Sequence, residues 1–371
     1  MSLFMAAALC AVTAAAMAIE PDPAAWPRTD FTRHSVDLNE IESGGPPKDG
    51  IPAIDRPHFT DVRAAGEWLK PKEPVIALRL GESSRAYPIQ ILIYHEIVND
   101  TLGGIPVAVT FCPLCNASMV FERRVDGATL DFGTTGKLRY SDLVMYDRQT
   151  QSWWQQFSGK GIVGHYAGTE LKRLPSEIVA FADFAAAHPG GEVLSREAGH
   201  ARPYGRNPYA GYDRIDQSPF LYSGKRDARL PPMERVLSVT VGGKHRLYPL
   251  SVLEGHRAVS QEMGGVPYVV LAKPGMASPL DRQRVDEGRE IVATGAFDRR
   301  LDGEVLEFTQ RDGRVIDTAT QSEWNVLGEA VSGPLKGRRL AALESGVHFA
   351  FAWLAFNPAS EIVKSARGAR R

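Results

Sequence analysis

Val75-Ile-Ala-Leu-Arg-Leu-Gly81, followed by Arg85-Ala-Tyr87-Pro88, recurs 161 residues later as Val236-Leu-Ser-Val-Thr-Val-Gly242 and Arg246-Leu-Tyr248-Pro249. Each block reads as a strand, a glycine turn and a second strand. The match runs without a gap from Val75–Cys115 onto Val236–Met276, with 13 of 41 positions identical. It puts His95 on His256 and Gly103-Gly104-x-Pro106 on Gly264-Gly265-x-Pro267. Further on, Phe121-x-Arg-Arg-x-Asp126-Gly127 returns as Phe297-x-Arg-Arg-x-Asp302-Gly303. Asp147-x-x-Thr150-Gln151-Ser152-x-Trp154 returns as Asp317-x-x-Thr320-Gln321-Ser322-x-Trp324. We read two tandem copies of one internally duplicated domain, at 70–195 and 233–365. About 15 residues added between Met276 and Thr294 are expected to form a surface loop in the second copy.

Within the first copy the pattern is mostly strand. Val75–Leu80 with Arg85–Ile89, and Met119–Val125 with Thr129–Phe132, read as hairpins, the latter around Asp126-Gly127. Val107–Phe111 reads as a buried strand, and Leu143–Tyr146 and Ser152–Phe157 as further strands. A short helix is expected over Ile91–Val98, and one longer helix over Pro175–Ala187, ended by His188-Pro189. Strands and helices do not alternate regularly, so the expected class is α+β, strongly β, rather than a doubly wound parallel sheet.

Outside the copies lie an extension at 19–69 and a strap at 196–232. The strap is rich in Tyr, Pro and Gly, including Tyr204, Tyr209, Tyr212 and Tyr222. Aromatic content of that density argues for a packed connector. Leu3–Ile19 is apolar, uncharged and Ala-rich, and ends in Ala16-Met17-Ala18. It is short for a membrane span and fits an export signal at 1–18, although no basic residue precedes Arg28. The expected location is the periplasm or outside the cell; the alternative is an N-terminal anchor facing outside. No other apolar run is long enough to span a bilayer. With 43 Lys+Arg against 44 Asp+Glu, the chain has no charge-based reason to bind nucleic acid or an anionic membrane. A protein or small-molecule partner stays open.

The duplication separates fold from chemistry. His95 recurs, so its expected role is a buried structural histidine, matched by His256. Cys112 and Cys115 do not recur; Lys273 and Met276 stand in their places. Arg148 and Trp153, facing Thr318 and Glu323, are also peculiar to the first copy and are expected to line the same cleft. For Phe111-Cys112-Pro113-Leu114-Cys115, c-type haem is excluded because Asn116 follows where His is required. A local disulfide closes so short a loop that it adds only roughly 1.9 kcal/mol. Thiol redox exchange suits a Cys-x-x-Cys, but the segment after it reads as turn and strand rather than a thioredoxin helix. Soft-metal handling is the third reading: copper(I) accepts two thiolates, with Met119 or His95 as a further ligand. No Gly-x-Ser-x-Gly elbow or His-Glu-x-x-His helix supports a hydrolase.

Phe111-Cys-Pro-Leu-Cys115, Val120-Phe-x-Arg-x-Val-Asp-Gly127, Ser141-Asp-Leu-Val-Met-Tyr-Asp-Arg148, Ser152-Trp-Trp-x-Gln156 and Asn207-Pro-Tyr-x-Gly-Tyr-Asp213 together resemble one bacterial and archaeal family, domain of unknown function 3179. The resemblance spans roughly residues 70–360 and implies export and a Cys-Pro-x-Cys site, with no activity or cofactor attached. The expected function is therefore thiol redox or copper handling through Cys112 and Cys115. The alternative is a non-catalytic ligand-binding or scaffolding protein with a structural disulfide.

Overall fold

The computed structural model describes residues 22–365. The export signal expected at 1–18, with Cys10, lies outside them. Strand dominates, arranged in several sheets whose pairings are mostly antiparallel. The hairpin Pro74–Leu80 and Ser83–Pro88 turns at Gly81-Glu82, with Val75 opposite Pro88. Glu177–Ala180 flanks it on one side, and Glu192–Leu194 runs parallel to it on the other. The later hairpin Arg235–Val241 and Lys244–Pro249 has the same register, with Val236 opposite Pro249. It too has an antiparallel neighbour, Glu344–Phe349, and a parallel one, Glu361–Ile362. Tyr87 and Tyr248 are both fully buried, and Gly104 and Gly265 share a left-handed φ of 77° and 78°.

A second sheet orders Arg173–Leu174, Ala117–Glu122, Ile105–Cys112 and Ile97–Leu102. A third orders Ile41–Ser43, Phe132–Arg139, Asp142–Asp147, Trp153–Gln155 and Gly161–Val163. The N-terminal extension is woven into this half, because Ile41–Ser43 pairs with Phe132–Arg139 and Phe59–Asp61 with Glu192–Leu194. The main apolar cluster crosses both halves, joining Val75, Phe111 and Trp154 to Val236, Phe349 and Trp353. No helix among the described residues is long and apolar enough to cross a membrane.

Four local expectations change. The span 175–187 is a strand, Glu177–Ala180, followed by a helix, Phe181–Ala187. Ile178 and Val179 pair with Ile76 and Val75, so ladder bonding overrides the helical spacing. The first helix is Ile89–His95 and ends earlier than expected, so Ile97–Leu102 forms a strand. His256 does not match His95: the helix Leu250–Leu253 stops short of it, and Gly255, which aligns with Tyr94, takes a φ of 81°. His256 is therefore half-buried outside the helix. The added segment after Ala277 is no plain surface loop, since Ser278, Leu280 and Val285 are buried and it bonds the strap through Gln283, Leu280 and Asp281.

One polar unit occurs in both halves. Asp147 accepts from Thr150 N at 2.6 Å and from Trp154 Nε1 at 2.9 Å. Asp317 accepts from Thr320 N at 2.6 Å and from Trp324 Nε1 at 3.1 Å. Both carboxylates are fully buried. Removing either leaves a buried indole N–H and a threonine backbone N–H without their acceptor. Asp147→Ala and Asp317→Ala should each destabilise the protein by about 3 kcal/mol in urea unfolding. An Asp317→Ala protein as stable as wild type would show that the unit carries no load in the second half.

Candidate functional site

Cys112 ends the strand Ile105–Cys112 and sits opposite Ala117 across the turn Pro113–Asn116. Pro113 favours that turn, and Asn116 N closes it on Pro113 O at 3.2 Å. Asn116 accepts a left-handed φ of 49°, which an Asn tolerates better than most residues. The turn carries Cys115 back beside Cys112. A second turn at Tyr140 and Ser141, both with positive φ, starts the strand Asp142–Asp147 and aims Asp142 at the sulfurs. The two Sγ atoms and a carboxylate oxygen of Asp142 lie within 4.8 Å of one another, and all three residues are buried. Both cysteines are free thiols.

Asp142 Oδ2 accepts from Gln155 Nε2 at 2.5 Å and from Phe157 N at 2.9 Å. Its Oδ1 has no N–H or O–H donor, with the Cys115 thiol standing beside the carboxylate, and the buried Asn116 Oδ1 and Gln156 Oε1 close by in the fold have no donor either. Glu96 completes the acidic group. It caps the helix Ile89–His95 with a left-handed φ of 58°, a strained conformation for a glutamate. Its carbonyl accepts from Phe111 N at 2.8 Å, tying it to the cysteine strand.

The electrostatics are one-sided. Burial pushes the Cys112 thiol up and the Cys115 thiol well above the ordinary range. Burial also raises Asp142 to about 7, and burial followed by the charge of Asp142 raises Glu96 to about 8. No Arg, Lys or His bonds or pairs with these four side chains among the described residues. Buried acids without a cation stay protonated, or else they await one.

The strap closes the site. Tyr212 OH donates to Leu114 O at 3.1 Å, on the turn between the cysteines. Ser141 Oγ donates to Phe220 O at 2.5 Å. Tyr209 lies near enough for Glu96 and Cys112 to raise its pKa, after the larger effect of burial.

The structure unites only part of the expected set. Cys112 and Cys115 are together. Met119 lies on the same sheet face as Cys112, opposite Thr110. His95 is no ligand: its Nδ1 meets Pro52 O at 2.7 Å and its Nε2 meets Tyr204 OH at 2.6 Å, so both ring nitrogens are engaged. Arg148 and Trp153 do not line this site. Arg148 pairs with Asp49 at 3.1 Å and Asp55 at 3.2 Å. Trp153 packs edge-on against Trp26 and Phe31. Both serve the N-terminal extension, which only the first half carries. Asp142 and Glu96 were missed. The comparison of copies could have found Glu96, since Arg257 stands in its place. Asp142 could have been picked from the Ser141–Arg148 motif only by knowing where its strand begins.

A family profile described as Protein of unknown function (DUF3179) matches residues 48–360. The chain belongs to that family. No curated protein and no solved structure matches it.

The raised carboxyls predict a pH signature in metal-free protein. A folded-state pKa above the unfolded value means that the folded chain holds the proton longer. That contribution is fully present below the ordinary carboxylate range, and it is lost as pH rises through about 7 for Asp142 and about 8 for Glu96. Urea unfolding from about pH 5 to 8 should show wild type losing stability relative to Glu96→Gln as pH rises. A constant difference across that window would contradict the assignment.

Proposed function

We propose that this is an exported metal-handling protein that binds one thiophilic cation through Cys112, Cys115 and Asp142. The observation that carries the reading is the set of buried acids and donor-less oxygens with no basic partner. A cation supplies the missing charge and lets the thiols ionise. Ligand atoms of one tetrahedral zinc ion stand roughly 3.3–3.8 Å apart, so a separation within 4.8 Å needs only small side-chain adjustment. The carboxylate moves the preference away from copper(I), which favours soft ligands alone, toward zinc or a similar borderline divalent ion. Thiol exchange is the weaker reading, because it needs a reachable thiolate and both sulfurs are buried with raised pKa values.

In this reading the two halves descend from one duplicated domain. The second keeps the hairpin and the Asp–Trp unit and has lost the ligands, with Arg257, Lys273 and Met276 in place of Glu96, Cys112 and Cys115. Export through residues 1–18 is part of the proposal and places the site in the periplasm or outside the cell.

Metal-free protein titrated with zinc should take up one ion and release protons, since its thiols start protonated. Cys112→Ser and Cys115→Ser should each abolish tight binding. Asp142→Asn should weaken it at least tenfold. Binding unchanged in both serine variants, or protein isolated without reductant with this pair already closed as a disulfide, would sink the metal reading and favour a structural bridge.

A further inference from the structure

A cleft of about 610 Å³ opens between the two halves, lined by the strand Pro74–Leu80 on one side and by residues around Leu327 and Leu340 on the other. It lies within the size range of small-molecule sites, and such sites favour seams of this kind. Phe297, Leu327 and Leu340 give it an apolar wall. Its charges are almost all matched. Arg79 Nη1 lies 2.8 Å from Glu329 Oε1, and Arg79 Nη2 lies 3.4 Å from Glu82. Arg339 also reaches Glu82 at 3.4 Å, and Arg338 pairs with Asp302. His188 stands 3.8 Å from Glu329, and burial lowers its pKa.

Glu177 is the exception. It starts the strand Glu177–Ala180, opposite Ala77, and lines the cleft partly buried. It has no hydrogen-bond or ion-pair partner among the described residues. Burial and then the charge of Glu329 push its carboxyl up to about 8. Every guanidinium around it already has a carboxylate, so an anionic ligand would find no free cation here. A ligand bearing positive charge would find a carboxyl with no partner.

We propose that this cleft binds a small organic ammonium ion, with Glu177 as its counter-ion and the wall of Phe297, Leu327 and Leu340 against its carbon skeleton. The proton balance is simple. The ligand keeps its ammonium protons. Glu177, protonated in the free protein at neutral pH, releases one proton to solvent as it becomes the carboxylate partner.

Phenethylammonium, phenethyl alcohol and phenylacetate have nearly the same shape and three different charges. Calorimetric titration of the whole protein at about pH 7, in two buffers of different ionisation enthalpy, reads affinity and proton release together. Phenethylammonium should bind at least tenfold more tightly than the alcohol, with close to one proton released per ligand. Glu177→Gln keeps the side-chain volume; it should fold normally by circular dichroism and lose both the preference and the proton release. Cys112→Ser should leave this binding unchanged, which separates it from the metal site. Tighter binding of phenylacetate, proton release surviving in Glu177→Gln, or no binding of phenethylammonium at millimolar concentration would each overturn the proposal.

Discussion

Asp213 is sealed from water at the middle of the strap, and the arrangement of the site depends on how its charge is met. Burial alone would raise its pKa, but Arg235, Ser278 and Arg289 outweigh burial and hold it below the ordinary value. Arg235 lies 2.7 Å away and Arg289 2.8 Å away. Arg235 opens the first strand of the second half, whereas Ser278 and Arg289 belong to its added segment. One carboxylate therefore pins the strap to two places in the second half. From that anchor Tyr212, the preceding residue, reaches Leu114 in the first half. A buried ion pair of this kind is costly to break, because removing one member strands the other. The strap is thus held across the cysteine turn by a constraint that lies outside both the turn and the first half.

The contrast between buried carboxylates separates architecture from chemistry. Asp147 and Asp317 have donors on both carboxylate oxygens and Asp213 has two guanidiniums, whereas Asp142 has N–H donors on Oδ2 alone. Asp142 and Glu96 share their space with two thiols and no base. A fold can tolerate the first kind indefinitely. The second kind keeps a standing electrostatic demand, together with two left-handed non-glycine residues at Glu96 and Asn116. Glu177 in the seam cleft repeats the pattern on a smaller scale, with no hydrogen-bond or ion-pair partner among the described residues.

The hairpins were legible in the sequence because their signals are local. Alternating apolar residues, a Gly-rich turn and a Tyr-Pro end need no knowledge of distant contacts, and Val75 opposite Pro88 follows from turn length. The pairing of Cys112 with Cys115 was legible for the same reason, since four residues set their separation. Glu177–Ala180 was misread because its strand character comes from a partner about a hundred residues away. Arg148 and Trp153 were misassigned because difference between the copies was taken as a sign of chemistry. Their difference instead reflects packing against Trp26, Phe31 and Asp49, a segment that the second half lacks.

By itself the sequence determined the strand-rich class, the repeated hairpin, the turn that joins the two thiols and membership of the family. These depend on backbone periodicity and on residues a few positions apart. Only the tertiary structure decided that Asp142 and Glu96 complete the site, that both ring nitrogens of His95 are engaged, and that the strap buries the sulfurs. Each of these depends on whether a charge has a partner. That is a matter of distance between remote segments and of exclusion of water, and neither quantity is written in local sequence.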